Sequence, residues 1–190
     1  IEMVTACGLL HDVGKLLVPR DLITKPGKLT DLEYYQVKKH SFEGYQLLMS
    51  QNIDKHICNA ALMHHERCDG SGYPQGLIDN EIDRYAKMVA IADVYDAMTS
   101  ARVYRAPICP FKVIEIFETE GLQRDDVAYV LRFLENIVDT YIQNRCRLSD
   151  GREGTIIFIN KPKLSRPVVQ CGDTYVNLAE EPDLCIDTLL

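Results

Sequence analysis

Apolar residues recur at helical spacing over most of the chain, and beyond Gly151 the pattern changes to short alternating runs divided by proline and glycine. Val4, Cys7 and Leu10 mark a helix over residues 1–10. His11 continues the face of Val4 and Cys7 before Gly14 breaks the pattern, so this helix delivers His11 and Asp12 inward. Residues 16–29, with Pro19, Pro26 and Gly27, read as a loop. Thr30 followed by Glu33 is a capping box that starts a helix at about Leu32, with Val37, His40, Gly44 and Leu47 on one face. A third helix from about Asp54 places Ile57, Ala60, Ala61 and His64 on one side with His65 beside them, and runs into the stretch Met63–Gly76, rich in glycine. From Asp83 to Ser100 the apolar face comprises Ala86, Val89, Ala90, Asp93 and Ala97. Two more helices are expected over 110–119 and 124–144, the second with a core stripe of Val127, Leu131, Leu134, Val138 and Tyr141. Residues 154–160, 166–171 and 173–178 read as strands. The pattern therefore predicts a mainly α helical bundle over residues 1–146 and a small antiparallel β appendage over 147–190.

Composition narrows the function classes. With 46% hydrophobic and 26% charged residues, the 190-residue chain can bury one substantial core. A formal charge of −7 argues against a nucleic-acid polymer or an anionic membrane surface as partner. The seven cysteines are odd in number and scattered, with Cys7 and Cys58 at apolar helical positions, which favours reduced thiols in a cytoplasmic protein. No apolar run approaches the length of about 18 residues that marks a membrane span. The chain opens inside a helical pattern, as a piece cut from something longer does.

Candidate chemistry is concentrated in His11, Asp12, His40, His64, His65 and Asp93. One histidine on an apolar helix face is ordinarily a hydrogen-bonded core residue. Four imidazoles and two carboxylates converging from four helices are different, because desolvating them together is costly unless divalent ions bind them. The donors are too many for one tetrahedral zinc and mix nitrogen with oxygen, which implies at least two ions of the iron or manganese kind, with Asp12 as the natural bridge. Ions about 3.5–4 Å apart clamp both oxygens of an in-line phosphoryl displacement. Lys15 is placed to neutralise a phosphate oxygen, and Arg102 and Arg105 offer forks for phosphate or a guanine edge. The loop glycines Gly70 and Gly72 are expected at positive φ, and Glu66 and Asp96 as partners of metal-bound imidazoles.

His11-Asp12-Val13-Gly14-Lys15, His40, the run from His64 to Pro74, and the run from Ile91 to Arg105 resemble the HD-GYP domain in motif, order and spacing. That domain is a subclass of the HD phosphohydrolases whose members hydrolyse cyclic di-GMP, and the resemblance covers residues 1–145 or so. It implies an HD-type helical bundle. It also implies that His11, Asp12, His40, His64, His65 and Asp93 are metal ligands for iron or manganese, and that Asp12 and Lys15 take part in catalysis. Lys15, Gly72, Tyr73, Pro74, Arg102 and Arg105 match substrate contacts. The implied product is pGpG, which members often cleave onward to GMP. A diguanylate cyclase (GGDEF) domain is an implied partner at the Gly72-Tyr73-Pro74 loop, as are a fused receiver or sensor domain and a second copy in a homodimer.

The chain departs from the family pattern in one respect. Family enzymes carry a further histidine, and three-metal members a glutamate with it, on a helix upstream of the HD pair, whereas only ten residues precede His11 here. Two rival readings follow: a non-catalytic module that binds cyclic di-GMP or a cyclase domain, and a hydrolase of another cyclic dinucleotide such as cyclic GMP-AMP.

Overall fold

The computed structural model describes residues 1–101, 106–121 and 124–190. These form two compact units. The first takes Ile1–Val94 together with 124–129, and the second takes Tyr95–Ala101, 106–121 and Val130–Leu190.

The first unit is helical. Helix α1 (Glu2–Leu10) ends at His11, and a tight 3-10 turn (Val13–Leu17) and the single turn α2 (Arg20–Ile23) follow where the sequence reads as loop. Helix α3 (Asp31–Lys38) starts at the expected capping box: Thr30 Oγ1 accepts from the Glu33 N–H, and Glu33 accepts from the Thr30 N–H at 2.8 Å. The single helix expected here is two, because the chain leaves the helix at Lys39 and resumes as α4 (His40–Ser50). Helix α5 (Lys55–Met63) is capped by Asp54, and α6 (Arg84–Thr99) continues from the first unit into the second. The core between α1, α5 and α6 is Cys7, Ala60 and Val89. Leu48, Cys58 and Ala61 form a second cluster that joins α4 to α5.

Small residues let these elements meet backbone to backbone. A Cβ added at Gly14 lies 1.9 Å from the His40 carbonyl oxygen and 2.6 Å from the Gly44 nitrogen. The turn after Asp12 is thus pressed directly onto the first turn of α4, and Gly14 is required by space, not only as a helix breaker. Asp83 fastens the other side. Its carboxylate accepts from the Tyr85 N–H at 2.9 Å, capping α6, and from His56 Nδ1 at 2.7 Å and Asn59 Nδ2 at 3.0 Å on α5.

The second unit holds α7 (Pro110–Ile116), which continues through a wider π turn (Phe117–Gly121), the C-terminal part of α8 (Val127–Asp139), and the sheet. Helix α8 ends five residues before the expected 144. Its buried stripe is Val130, Leu134 and Val138, whereas Val127 and Leu131 are exposed, so two members of the expected stripe face outward. Tyr141 lies beyond the helix, where its hydroxyl meets that of Tyr95 at 2.7 Å. The three expected strands are β2 (Glu153–Phe158), β3 (Val168–Cys171) and β4 (Thr174–Asn177). Two more, β1 (Arg145–Leu148) and β5 (Ile186–Leu189), complete an antiparallel sheet of order β4-β3-β2-β1-β5. Cys146, Leu148, Ile156, Val169, Val176 and Ile186 are its buried residues.

Two outcomes follow. Gly14→Ala forces the turn off α4 and is expected to lower stability by about 3 kcal/mol in guanidinium titrations. Asp83→Ala is expected to cost about 1–2 kcal/mol by losing the cap and leaving the half-buried donors of His56 and Asn59 unpaired. Burial opposes the charge on Asp83, but Asn59, the Tyr85 N–H and His56 hold its pKa below the ordinary carboxylate value. A lowered folded pKa gives stability that is complete above about pH 4 and lost as pH falls through the folded value, so wild type and Asp83→Ala should converge in acid.

Candidate metal centre

The first unit gathers four imidazoles and two carboxylates from separate elements. His11 ends α1 and Asp12 follows it, His40 opens α4, His64 and His65 end α5, and Asp93 lies within α6. The backbone contact at Gly14 sets the key approach, bringing Asp12 Oδ1 within 3.3 Å of His40 Nε2 and 3.6 Å of His64 Nε2. His11 Nε2 lies 3.4 Å from Asp12 Oδ2 and 3.7 Å from Asp93 Oδ1. Two donor sets result, Asp12 with His40, His64 and His65, and His11 with Asp12 and Asp93; within each set the donor atoms lie within 4.8 Å of one another. Asp12 belongs to both.

The outer hydrogen bonds decide which nitrogens face inward. His11 Nδ1 donates to the Gly8 carbonyl at 2.7 Å, His40 Nδ1 to that of Val37 at 2.6 Å, and His64 Nδ1 to those of Ala60 and Ala61 at 3.0 Å. These bonds assign the proton to Nδ1 and leave each Nε2 lone pair aimed at the centre. His40 Nε2 and His64 Nε2 are 3.3 Å apart, an arrangement of two acceptors that needs a shared cation or proton. His11 Nε2 and Asp12 Oδ1 are buried with no hydrogen-bond partner among the described residues. Orphaned acceptors of this kind are costly alone and are satisfied by divalent ions, so the donor set fits such ions.

Without a cation the charges are strained. Burial opposes ionisation, yet Asp12 and Asp93 push His11 up to about 10, and the three imidazoles with Lys15 hold Asp12 far below the usual carboxylate range. Burial, reinforced by His64 and His40, drives His65 down to about 2, and burial lowers His64 as well. His64 and His65 are therefore neutral at physiological pH.

The glycine-rich loop forms one rim. Gly72 does not need positive φ; a Cβ there lies 2.4 Å from the Glu66 Cα, so glycine is required by close approach, while Gly70 does take φ of 80°. Glu66 is buried, but it accepts from the Gln75 and Leu77 N–H groups at 2.7 and 3.0 Å, tying down the loop instead of an imidazole. Tyr73 stacks on His65 with ring centroids 4.6 Å apart, and the peptide to Pro74 is cis. Lys15 pairs with Asp12 at the centre. Asp96 is exposed and accepts from Ser100 Oγ. Arg102 and Arg105 lie outside the described residues.

One residue was missed. Lys38 Nζ sits between two rings, 4.7 Å from the centroid of Tyr34 and 4.6 Å from that of Tyr73. The spacing of Tyr34 and Lys38, one helical turn, is visible in the sequence; the return of Tyr73 from the loop is not.

A cyclic di-GMP phosphodiesterase of Pseudomonas aeruginosa is 46% identical over 99 residues, 52% of this chain and 24% of the relative. A 3′3′-cGAMP-specific phosphodiesterase of Vibrio cholerae is 42% identical, over 60% of this chain and 26% of its own length. A cyclic di-GMP phosphodiesterase of Thermotoga maritima is 39% identical, over 70% of this chain and 37% of its own. The chain thus spans between a quarter and two fifths of these relatives. The solved structure of an HDG"Y"P protein from Bdellovibrio bacteriovorus shares the fold at a TM-score of 0.57 and 22% identity, over 72% of this chain and 43% of that one. Residues 2–127 match the HD domain family, and the chain belongs to it.

Proposed function

We propose that the protein is a metal-dependent phosphodiesterase that opens cyclic di-GMP to pGpG. The observation that carries this reading is the pair of donor sets sharing Asp12, beside a lysine. His11, Asp12, His40, His64, His65 and Asp93 would hold the ions, and their mixture of imidazole and carboxylate suits iron or manganese. Bound there, divalent ions supply Lewis acidity at phosphorus and lower the pKa of a water.

The remaining work falls to the chain itself. Lys15, whose ammonium lies against Asp12, neutralises a non-bridging phosphate oxygen as charge builds on it. The Nδ1 bonds to backbone carbonyls keep the imidazoles oriented with Nε2 on the inner side. Hydrolysis adds water across one ester: the water oxygen bonds phosphorus, the bond from phosphorus to the ribose 3′ oxygen breaks, and a proton passes to that oxygen. Tyr73 and the loop held by Glu66 close one side against solvent. The same reading extends to a cytoplasmic signalling protein with a fused receiver or sensor domain and a cyclase domain as partner at Gly72-Tyr73-Pro74. A second cyclic dinucleotide, 3′3′-cGAMP, is kept as rival substrate because relatives of nearly equal identity carry both names.

Anaerobically prepared protein should contain about two iron or manganese ions and convert cyclic di-GMP to pGpG or GMP. His65→Ala and Asp93→Ala should each lose metal and about a hundredfold or more in turnover. Retained metal with tight cyclic di-GMP binding and no turnover would replace the enzyme with a binding module. Competition between equal amounts of the two dinucleotides decides the substrate.

A further inference from the structure

Next to the metal centre lies a cavity of about 500 Å³, within the range of about 300–1,000 Å³ typical of small-molecule sites. Two of its wall residues belong to the centre's surroundings. Lys15 pairs with Asp12, and the Val37 carbonyl accepts from the Nδ1 of His40. The cavity opens beside α3, whose first turn supplies Asp31 and whose second supplies Tyr34, with Lys28 from the preceding loop.

These side chains differ in whether they are free. Lys25, also in the wall, is bound at 2.6 Å by Glu33, which the capping box holds in turn. Lys28 and Asp31 make no ion pair or side-chain hydrogen bond among the described residues. A cation and an anion therefore line one recess without ion-pair partners, beside the Tyr34 ring, one face of which Lys38 meets at 4.7 Å, at the first turn of a helix fixed by its cap. That set complements guanine. Its O6 and N7 accept, as from a lysine, while its N1–H and N2–H₂ donate, as to a carboxylate, and its ring stacks on tyrosine. Adenine offers an acceptor at N1 and no amino group at C2, so it leaves a facing carboxylate unpaired.

We propose that this cavity receives one guanosine half of the dinucleotide, with Asp31 and Lys28 reading the guanine edge, Tyr34 stacking on the base, and Lys15 marking the passage to the phosphate at the metal centre. The inference rests on the proposed cyclic dinucleotide reading and adds to it the residues that select guanine over adenine. Asp31 is then a specificity determinant, and a guanine is needed in only one half of the ligand.

The test is calorimetric binding, together with turnover, of cyclic di-GMP and cyclic di-AMP by the Mn²⁺-loaded protein and its Asp31→Ala, Asp31→Asn and Tyr34→Leu variants. Wild type should prefer cyclic di-GMP. Asp31→Ala should weaken cyclic di-GMP about tenfold and change cyclic di-AMP by less than about twofold, with Asp31→Asn intermediate. Tyr34→Leu should weaken both nucleotides alike, because stacking does not distinguish the bases. Unchanged metal content and melting temperature in each variant show that folding is intact. If Asp31→Ala leaves the guanine preference untouched while wild type turns over cyclic di-GMP, the inference falls and the enzyme reading stands. If binding shows the preference and its loss but nothing is hydrolysed, the inference stands and catalysis falls. A protein that binds neither nucleotide overturns the cavity assignment.

Discussion

The contact between the backbones of Gly14 and α4 governs the first unit. With no side chain at Gly14, the turn after Asp12 reaches the His40 carbonyl and the Gly44 nitrogen directly. Gly44 reciprocates, since a Cβ there lies 3.0 Å from the Gly14 nitrogen. An aspartate carried on a turn held that close has little freedom to withdraw from the histidine that opens α4. The distance of 3.3 Å between Asp12 and His40 is thus a consequence of main-chain packing, and electrostatics is left to accommodate it.

That accommodation is incomplete in the chain alone. Inward lone pairs on His40 and His64 face each other, and Asp12 Oδ1 and His11 Nε2 are buried without hydrogen-bond partners among the described residues. Proteins rarely retain such groups for stability, because replacing them with apolar residues removes the desolvation cost. Their presence together, with the imidazoles of His11, His40 and His64 each fixed by an outer bond to a carbonyl, is explained by a function that needs cations at that place. The small core residues nearby, Ala60 and Ala61, have the same logic: they let α5 approach closely enough for His64 to reach the centre while its Nδ1 bonds their carbonyls.

Much of this was legible in the sequence, for reasons of periodicity. The faces carrying Val37 and His40, Ala60 and His64, and Ala90 and Asp93 follow from helical spacing, and the Thr30 cap from its partner three residues on. What escaped depends on contacts between distant segments. The break at Lys39 has no glycine or proline to announce it, and the burial of Val130 in place of Val127 and Leu131 depends on which side of α8 is covered. Strands β1 and β5 are four residues each and are recognised only by pairing with one another across the sheet order. Glu66 looked like a partner for an imidazole because it follows His65; in three dimensions the loop folds back and its N–H groups take the carboxylate.

That folded loop resolves one further asymmetry in the centre. Three of the four histidines are oriented by an Nδ1 bond to a carbonyl, but the His65 side chain makes no hydrogen bond among the described residues. Its orientation comes instead from the ring of Tyr73, stacked at 4.6 Å and 27° between planes. Tyr73 in turn is placed by its N–H bond to the His65 carbonyl at 3.1 Å, by the close pass of Gly72 over Glu66, and by Lys38 on its ring. A stacked ring restricts the plane of an imidazole without engaging either ring nitrogen, whereas a hydrogen bond at Nδ1 engages one of them. Of the four, His65 is therefore the imidazole held by a stacked ring and not by a hydrogen bond, and the loop containing Gly72, Tyr73 and Pro74 is the element that holds it.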